Sequence, residues 1–298
     1  MRTAFLVLST RCNNACAFCF YRQDPTWQRE QSLDAADFPA LMDDLSLLDV
    51  DELILTGGEP LLVPGILEMI ETARARGMRP SMITNGVLLD EELAVRLSDA
   101  GLDVLVWSLN DFHQPHAPGT DAILEDMDRR LRMLSKALSG RLSTIFVFTR
   151  HDAVLAGEVI ELTRSRGVGL IVQPAYIPAA SPDAQRLNPF AAPDAQWSEI
   201  MERIDPYFDR YGLHRYRGYL QGLYNGKGDR PISCSMGERV LVVDADRVVT
   251  PCFHRRDLAA GRLGIDPVGD IRTRLSGGAD QVKDARCFGQ HCVSLFVE

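Results

Sequence analysis

Short apolar segments alternate with amphipathic segments through the first 175 residues, and this alternation limits the fold more than any other feature. The segments between the apolar runs have helical periodicity. Strands that alternate with such helices indicate a parallel sheet covered by helices, so we predict an α/β fold, a partial (β/α)6 barrel. The predicted strands are 4–9, 52–56, 79–84, 104–108, 143–148 and 169–173, and the predicted helices are 33–48, 65–76, 90–99, 121–138 and 153–166.

The pattern changes toward the end of the chain. Residues 174–188 are rich in proline and predict a linker or an active-site loop, 195–211 predict a helix, and 240–250 predict a β-hairpin. We place a domain boundary near 225, so that residues 1–225 form the barrel with its linker helix and 226–298 form a small domain. A segment of this size rarely builds a sufficient core, so a bound metal is expected to stabilise it.

The composition excludes several classes of protein. The net charge of −9 argues against a nucleic-acid partner, since affinity for nucleic acid comes from clustered cations. An acidic surface instead favours a cationic or neutral substrate. No apolar run approaches the length of a membrane span, and the N-terminus has no signal-peptide cleavage site. We therefore predict a cytoplasmic protein without a membrane partner.

The seven cysteines fall into two groups, which in the reducing cytosol indicate metal sites rather than disulfides. The first group lies on one loop just after the first predicted strand. Its three soft ligands leave one iron of a four-iron cluster open to a substrate or cofactor. A zinc site that borrows a distant fourth ligand is the alternative. The first group comprises Cys12, Cys16 and Cys19, and the second comprises Cys234, Cys252, Cys287 and Cys292.

Two motifs after the first two predicted strands resemble those of a known superfamily. The sequence CNNACAFC at 12–19 resembles the cluster loop of the radical S-adenosylmethionine (SAM) superfamily, and GGEP at 57–60 resembles its SAM-amine motif. The resemblance covers roughly the predicted barrel and implies that the first three cysteines bind a [4Fe–4S] cluster whose open iron binds SAM. It also implies reductive cleavage of SAM to a 5′-deoxyadenosyl radical, hydrogen abstraction from a substrate C–H bond, and an external electron donor such as flavodoxin or ferredoxin.

The GGEP motif also has a physical interpretation of its own. Glycine has no Cβ, so the backbone at Gly57 and Gly58 can approach a ligand closely. A carbonyl there and the Glu59 carboxylate can receive the SAM ammonium, and Pro60 completes the motif. We therefore predict that these four residues bind SAM.

Further polar residues follow the predicted strands, at the carboxyl ends where barrel sites lie. The resemblance implies that Ser108 and Asn110 hold the SAM ribose or carboxylate, and Asn85 belongs to a TNG sequence often found in this family. Arg150 could pair with the SAM carboxylate, and Gln173 ends the sixth strand. Caps of the following helices, or ordinary surface positions, are the alternative roles for all five.

The second group of cysteines and the predicted hairpin resemble the auxiliary-cluster region of radical SAM enzymes, of the SPASM-like twitch type. The resemblance implies that the four cysteines bind an auxiliary [4Fe–4S] cluster. A zinc ribbon is one alternative, although its paired C-x2-C spacing is absent. Another is a cluster with three protein ligands and a free Cys252 thiol that returns a hydrogen atom to a substrate radical. The chain departs from the family at Arg247, where glycine is frequent.

Two classes of substrate are compatible with this resemblance. Short members with one auxiliary cluster include neomycin-type epimerases and butirosin-type dehydrogenases, and Asp111, Asp152 and Asp183 near the predicted barrel mouth suit a cationic small molecule. Peptide maturases are the alternative, but they commonly carry a leader-binding domain for which we expect no room here. Epimerisation, dehydrogenation and crosslinking stay open. The non-enzymatic alternative is an iron–sulfur electron carrier or a zinc-binding protein, and the cysteine triad with GGEP argues against both.

Overall fold

The computed structural model describes residues 2–23, 31–110, 112, 119–177, 181–225 and 236–282. Its first six strands pair in parallel, each with the next along the chain, in the order β6-β5-β4-β3-β2-β1. The predicted α/β fold with a parallel barrel sheet is confirmed. The strands are β1 (Arg2–Ser9), β2 (Val50–Gly57), β3 (Arg79–Thr84), β4 (Val104–Ser108), β5 (Leu142–Phe148) and β6 (Gly169–Pro174).

Helices connect the strands, and their ends follow local capping rules. For example, the Asp90 carboxylate accepts a hydrogen bond from the Leu93 N–H at 2.8 Å and fixes the start of the fourth helix. No helix in the described ranges is long and apolar enough to cross a membrane. The helices are α1 (Phe20–Gln23), α2 (Phe38–Leu47), α3 (Ile66–Ala75), α4 (Glu91–Asp99), α5 (Thr120–Ala137), α6 (Ala156–Ser165), α7 (Ala184–Leu187), α8 (Asp194–Tyr211) and α9 (His214–Tyr224).

The outer face of the sheet carries the main hydrophobic core. Side chains alternate along a strand, so every second residue points toward the helices. Leu105, Trp107 and Phe146 lie on this face and are fully buried in the main core. Burying a large apolar side chain of this kind contributes about 1.5–3 kcal/mol, so this layer supplies most of the stability of the barrel.

The inner face of the sheet is open along β3 to β6. Its side chains are only half-buried, in contrast to their neighbours on the outer face. Small hydroxyl and aliphatic groups dominate it, so this face can accept a ligand without unfolding the core. The half-buried residues are Ser81, Ile83, Val104, Val106, Ser108, Ser143, Ile145, Val147, Ile171 and Gln173.

A partly exposed polar contact and an apolar cluster lie on the inner face near β1 and β2. At the amino ends of the strands, Glu52 accepts hydrogen bonds from the Thr3 hydroxyl at 2.7 Å and from the Arg79 guanidinium at 2.5 Å. Farther along, Phe5 and Val7 belong to an apolar cluster with residues from the C-terminal part of the chain. The open part of the barrel interior therefore lies beside β3 to β6.

Three short strands extend the same sheet beyond β1. They are β7 (Val240–Val243), β8 (Val248–Thr250) and β9 (Gly261–Arg262). β7 pairs in parallel with β1, and β8 and β9 follow in antiparallel order. The sequence predicts the hairpin, but no local sequence pattern predicts that it pairs with β1. The described part of the predicted second domain thus shares one sheet with the barrel, and the boundary near 225 stays a prediction.

The last described helix, α10 (Val268–Val282), returns to the outer layer. Ile271 and Leu275 are fully buried in the main core. The Arg272 guanidinium forms an ion pair with Asp49 at 2.8 Å, at the end of α2. The C-terminal segment therefore contacts both faces of the sheet, because Val242 and Cys252 pack with Phe5 on the inner face and α10 joins the outer layer.

The turn between β7 and β8 shows how the chain accommodates Arg247 at a position where the resembled family frequently has glycine. This residue has φ of 68°, the left-handed conformation that normally favours glycine. Its N–H donates to the Asp244 carbonyl at 2.8 Å, and the Val248 N–H donates to the Asp244 carboxylate at 2.9 Å. The chain therefore keeps the turn that a glycine would allow, although a residue with a Cβ pays about 1–2 kcal/mol for this conformation.

Candidate active site

The cysteine loop lies at the carboxyl end of β1, across the mouth of the barrel. Cys12 is exposed, Cys16 is buried and Cys19 is half-buried. The Cys19 N–H donates to the Cys16 carbonyl at 3.1 Å, which closes a turn between these two ligand candidates. Ala17 and Phe18 pack against an apolar cluster that follows β6. The loop thus spans the mouth from β1 to the end of β6.

Hydrogen-bond donors point at two of the loop sulfurs. The Asn14 N–H lies 3.4 Å from the Cys12 Sγ, and the Asn85 side-chain amide lies 3.6 Å from it. Burial raises the pKa of the Cys19 thiol, and hydrogen bonds from two main-chain N–H groups oppose this shift. N–H donors around thiolates are typical of iron–sulfur sites, where they tune the metal.

The cysteine loop fits an iron–sulfur cluster better than a single metal ion. Among the described residues, no three His, Cys, Asp or Glu side chains are close enough to hold one ion together. A four-iron cluster instead takes each thiolate on a different iron, so its ligands surround a larger object. The described residues therefore give the zinc alternative no support, and the set of three thiolates suits a four-iron cluster.

The two glycines of the GGEP motif are required by the chain itself. A Cβ at Gly57 would overlap the Ser9 carbonyl oxygen, and a Cβ at Gly58 would overlap that of Arg11. The Gly58 N–H donates to the Ser9 carbonyl at 2.6 Å. The close approach that these glycines allow is therefore to the start of the cysteine loop, which links the two motifs physically. A contact of the same backbone with SAM stays a prediction.

Glu59 joins the turn after β2 to the turn after β3. It is 1% exposed, and its carboxylate accepts hydrogen bonds from the Thr84 hydroxyl (2.7 Å), the Asn85 N–H (2.8 Å) and the Leu61 N–H (3.0 Å). Burial raises the pKa of Glu59, and the three hydrogen bonds oppose that shift. A carboxylate has about four acceptor positions, and three of those of Glu59 are used within the protein; a contact of the carboxylate with the SAM ammonium stays a prediction. Pro60 is buried and begins the short 3-10 helix beside Glu59.

The other residues predicted at strand ends separate into two sets. Asn85 lies at the cysteine loop, whereas Ser108, Asn110 and Gln173 are half-buried at the carboxyl ends of β4 and β6. The Arg150 guanidinium is directed elsewhere: it donates to the Gln196 side chain on α8 at 2.8 Å. The structure thus brings Asn85 to the first cysteine group and connects Arg150 to the helical layer, and their SAM contacts stay predictions.

Two of the three acidic residues expected to attract a cation are already engaged. The Asp152 carboxylate is buried and accepts hydrogen bonds from the Thr149 N–H and hydroxyl. Asp183 forms an ion pair with Arg186 at 2.7 Å. Asp111 lies outside the described residues. The electrostatic argument for a cationic substrate therefore rests on the net charge and on Asp111, because Asp152 and Asp183 have protein partners.

Cys252 lies on the inner side of the sheet. It is 3% exposed and belongs to the apolar cluster of Phe5 and Val7. The His254 N–H lies 3.4 Å from its sulfur, and the His254 ring contacts that of Tyr176, which follows β6, at 4.3 Å between centroids. The segment after β8 thus reaches across to the end of β6. Cys234, Cys287 and Cys292 lie outside the described residues, so the auxiliary cluster stays a prediction.

The functional neighbourhood includes residues that no sequence motif singles out. Tyr176 and His254 meet only because the two ends of the sheet approach each other, which local patterns do not show. Asp244 is 1% exposed and forms an ion pair with Arg256 at 2.5 Å. Burial and the neighbouring Asp246 raise the pKa of Asp244, whereas Arg256 opposes the shift. In the sequence, the acidic turn of the predicted hairpin is the feature that could point to the Asp244–Arg256 pair.

The sequence and the fold both resemble known proteins. The family described as the Radical SAM superfamily matches residues 6–152. The PqqA peptide cyclase of Gluconobacter oxydans is 28% identical over 249 residues, which cover 82% of this chain and 68% of that protein. The Fe-coproporphyrin III synthase of Methanosarcina barkeri is 34% identical over 107 residues, which cover 36% of this chain and only 27% of that protein.

Solved structures share the fold at low sequence identity. Native anSMEcpe with bound AdoMet has a TM-score of 0.68 at 16% identity, with 97% of this chain and 88% of that chain covered. BtrN in complex with AdoMet and 2-DOIA has a TM-score of 0.54 at 14% identity, with 96% and 88% covered. Streptococcus suis SuiB bound to its precursor peptide SuiA has a TM-score of 0.64 at 13% identity, with 96% and 69% covered.

These findings agree with the geometry of the site. The family match begins in β1, includes the cysteine loop and the GGEP motif, and ends after β5. The same stretch forms most of the parallel sheet that the solved structures share. Residues 6–152 of this chain therefore form a radical SAM domain.

Proposed function

We propose that this radical SAM enzyme abstracts a hydrogen atom from a small natural product bound on the open inner face of the barrel. One observation carries the proposal: the cysteine loop, the GGEP turn and Asn85 are hydrogen-bonded to one another at the carboxyl end of the sheet, directly beside the open face of β3 to β6. When bound, the cluster and SAM supply reductive cleavage of SAM and a 5′-deoxyadenosyl radical.

The residues of the chain supply position and shelter for this chemistry. Cys12, Cys16 and Cys19 would hold the cluster, and the remaining acceptor position of Glu59 would receive the SAM ammonium. Phe18 belongs to the cysteine loop and packs against the apolar cluster at the end of β6. This packing would keep water from that side of the site. Ser108 and Gln173 project from strand ends next to the open face, where they can bind polar groups of SAM or substrate.

The reaction that we favour is epimerisation or dehydrogenation of an aminoglycoside or aminocyclitol. Its support is the likeness of fold to BtrN with AdoMet and 2-DOIA, the three serine hydroxyls among the aliphatic side chains of the open face, and the net charge of −9. The proposal also includes a cytoplasmic location and an external reductant such as flavodoxin or ferredoxin. It further includes an auxiliary cluster bound by Cys234, Cys252, Cys287 and Cys292.

Modification of a peptide is the second candidate. Its support is the 28% identity to the PqqA peptide cyclase, which extends over most of the chain, and the likeness of fold to SuiB bound to its precursor peptide. An open face lined by both hydroxyl and aliphatic groups suits a peptide side chain as well as a sugar ring. The two candidate functions therefore have to be distinguished by identifying the reaction product.

The test is anaerobic incubation of the reconstituted protein with SAM and dithionite. We expect 5′-deoxyadenosine, detected by chromatography; its absence from an iron-loaded preparation would exclude the proposed chemistry and favour an electron carrier. Aminoglycosides or model peptides are then added in heavy water. Mass spectrometry distinguishes the loss of two hydrogens, expected of a dehydrogenase, from the gain of one deuteron, expected of an epimerase. A crosslinked peptide product would establish the second candidate instead.

A further inference from the structure

The side chain of Asn85 is fixed against Cys12. Its amide nitrogen donates to the Cys12 sulfur at 3.6 Å and to the Asn13 side-chain oxygen at 2.8 Å. Its amide oxygen accepts a hydrogen bond from the Val87 N–H at 2.9 Å. Both ends of the amide therefore have partners, so the orientation that presents an N–H group to the Cys12 sulfur is well defined.

The turn that carries Asn85 is held from the outer face of the sheet. The fully buried Trp107 donates its indole N–H to the Asn85 carbonyl at 3.3 Å. Arg130 on α5 donates to the Gly86 carbonyl, and its guanidinium lies over the Trp107 ring at 4.4 Å from the centroid. Such a cation–π contact in a partly desolvated place is worth about 1 kcal/mol or more.

Gly86 shows how closely these two side chains approach the turn. Its φ is 74°, and a Cβ there would lie 2.7 Å from the Trp107 ring and 2.8 Å from the Arg130 guanidinium. The turn is therefore clamped between the cysteine loop on the mouth side and the Trp107–Arg130 pair on the outer side. A shift of either side chain would move the Asn85 amide relative to Cys12.

We propose that Trp107 and Arg130 are positioning residues that hold the Asn85 donor on Cys12 and thereby raise the reduction potential of the cluster. This inference rests on the proposed function, because it requires Cys12 to be a cluster ligand. A hydrogen bond to a thiolate ligand withdraws electron density from it and stabilises the reduced cluster more than the oxidised one. The outer layer of the barrel thus helps to decide how easily an external donor can reduce the cluster.

The test measures the midpoint potential of the cluster in the reconstituted full-length protein, by a redox titration followed by electron paramagnetic resonance. Asn85→Leu has nearly the same shape but no donor. We expect its equilibrium constant for reduction to fall about fivefold, which corresponds to one ordinary hydrogen bond. Trp107→Phe keeps an aromatic ring but loses the indole N–H, and Arg130→Lys keeps the charge but loses the planar stack. Both should shift the potential in the same direction by a smaller amount.

Trp197→Phe is the matched control. Trp197 is also buried, and its indole N–H donates to Gln221 at 2.9 Å, but this bond joins two helices away from the turn. Its loss should leave the potential unchanged. An unchanged potential in iron-loaded Asn85→Leu or Trp107→Phe overturns the inference, as does an equal shift in Trp197→Phe. If Asn85→Leu does not bind the cluster, Trp107→Phe decides. Two outcomes separate this inference from the proposed function. If the wild type forms deoxyadenosine but the variants keep its midpoint potential, only the inference is contradicted. If the wild type binds no iron, both are contradicted.

Discussion

The two cysteine regions are built in different ways. The cysteine loop takes its ligand candidates from eight consecutive residues, and its sulfurs receive hydrogen bonds from the same loop and from the adjacent turn of β3. Cys252 instead lies in an apolar cluster with residues of β1, and it reaches the barrel through a strand pairing that spans most of the chain. The first region therefore has all its ligand candidates within one short segment, whereas the position of Cys252 depends on the assembly of the whole sheet.

The largest effect is expected in the first region. Replacement of Cys12, Cys16 or Cys19 by Ala should abolish deoxyadenosine formation while the fold survives, because the loop contributes little to the main core. Chromatography measures the product, and circular dichroism with thermal unfolding checks the fold. SAM cleavage at the wild-type rate in any of the three variants would remove that cysteine from the cluster assignment.

Cys252→Ala tests the second region. If Cys252 is a ligand, as the resemblance implies, iron content should fall from about eight to about four per chain, and product formation should be lost. The unfolding temperature should also fall, since a buried side chain leaves the inner cluster. Iron analysis and deoxyadenosine yield are the measurements. Full iron with deoxyadenosine but no epimerised product would instead make Cys252 the hydrogen donor, and wild-type behaviour in every assay would contradict both roles.

The same contrast explains what the sequence could predict. The bounds of β3 and β4 match the predicted ones, because β4 is a short apolar run and β3 ends at the turn-forming pair Asn85-Gly86. The cluster loop and GGEP were recognisable because their residues are consecutive. The pairing of β7 with β1, the ring contact of Tyr176 with His254 and the engagement of Asp152 by Thr149 were not, because they depend on which distant segments meet.

Glu59 shows this limit within a motif. Its identity predicts a SAM contact, but its hydrogen bonds from Thr84 and Asn85 become visible only when the turn after β3 is in place. GGEP alone therefore predicts a ligand contact and misses a structural role. Likewise, the glycines before it predict space for a ligand, and the structure shows that they also make room for the Ser9 and Arg11 carbonyls; their contact with SAM stays a prediction.

Glu59→Gln should consequently affect both SAM binding and stability. The amide presents two donors where the protein also offers donors, so at least one of the three bonds is lost. We expect about tenfold weaker SAM binding, together with about 1–3 kcal/mol lower free energy of unfolding. Calorimetric titration with SAM and urea unfolding are the measurements. Glu52→Gln is the control, because that carboxylate binds Arg79 at the opposite end of the strands and should leave SAM affinity intact. Equal losses of affinity in both variants would contradict a specific role of Glu59.

The smallest effect concerns the hairpin that carries Cys252. Burial and Asp246 raise the pKa of Asp244 to about 7, so the folded state keeps a proton that the unfolded chain releases near pH 4. The contribution of Asp244 to stability is therefore fully present at low pH, falls as the pH rises toward 7, and is constant above that. The neighbouring Asp246 has a lowered pKa, so its contribution changes only at more acidic pH.

Asp244→Asn isolates this titration, because the amide resembles the protonated acid and can still donate to Asp246. Urea unfolding of both proteins between pH 5.5 and 8 gives the difference in their free energies of unfolding. We expect the wild type to lose stability relative to the variant by at most about 1.4 kcal/mol per pH unit up to pH 7, and then to run parallel to it. The ion pair with Arg256 favours the charged carboxylate, so it lowers the pH above which the two curves run parallel and leaves the limiting slope unchanged. Parallel curves over the whole range would mean that Asp244 is ionised throughout. The hairpin would then depend on the Asp244–Arg256 ion pair, which joins residues only 12 positions apart, whereas Asn85 reaches Cys12 across 73 positions.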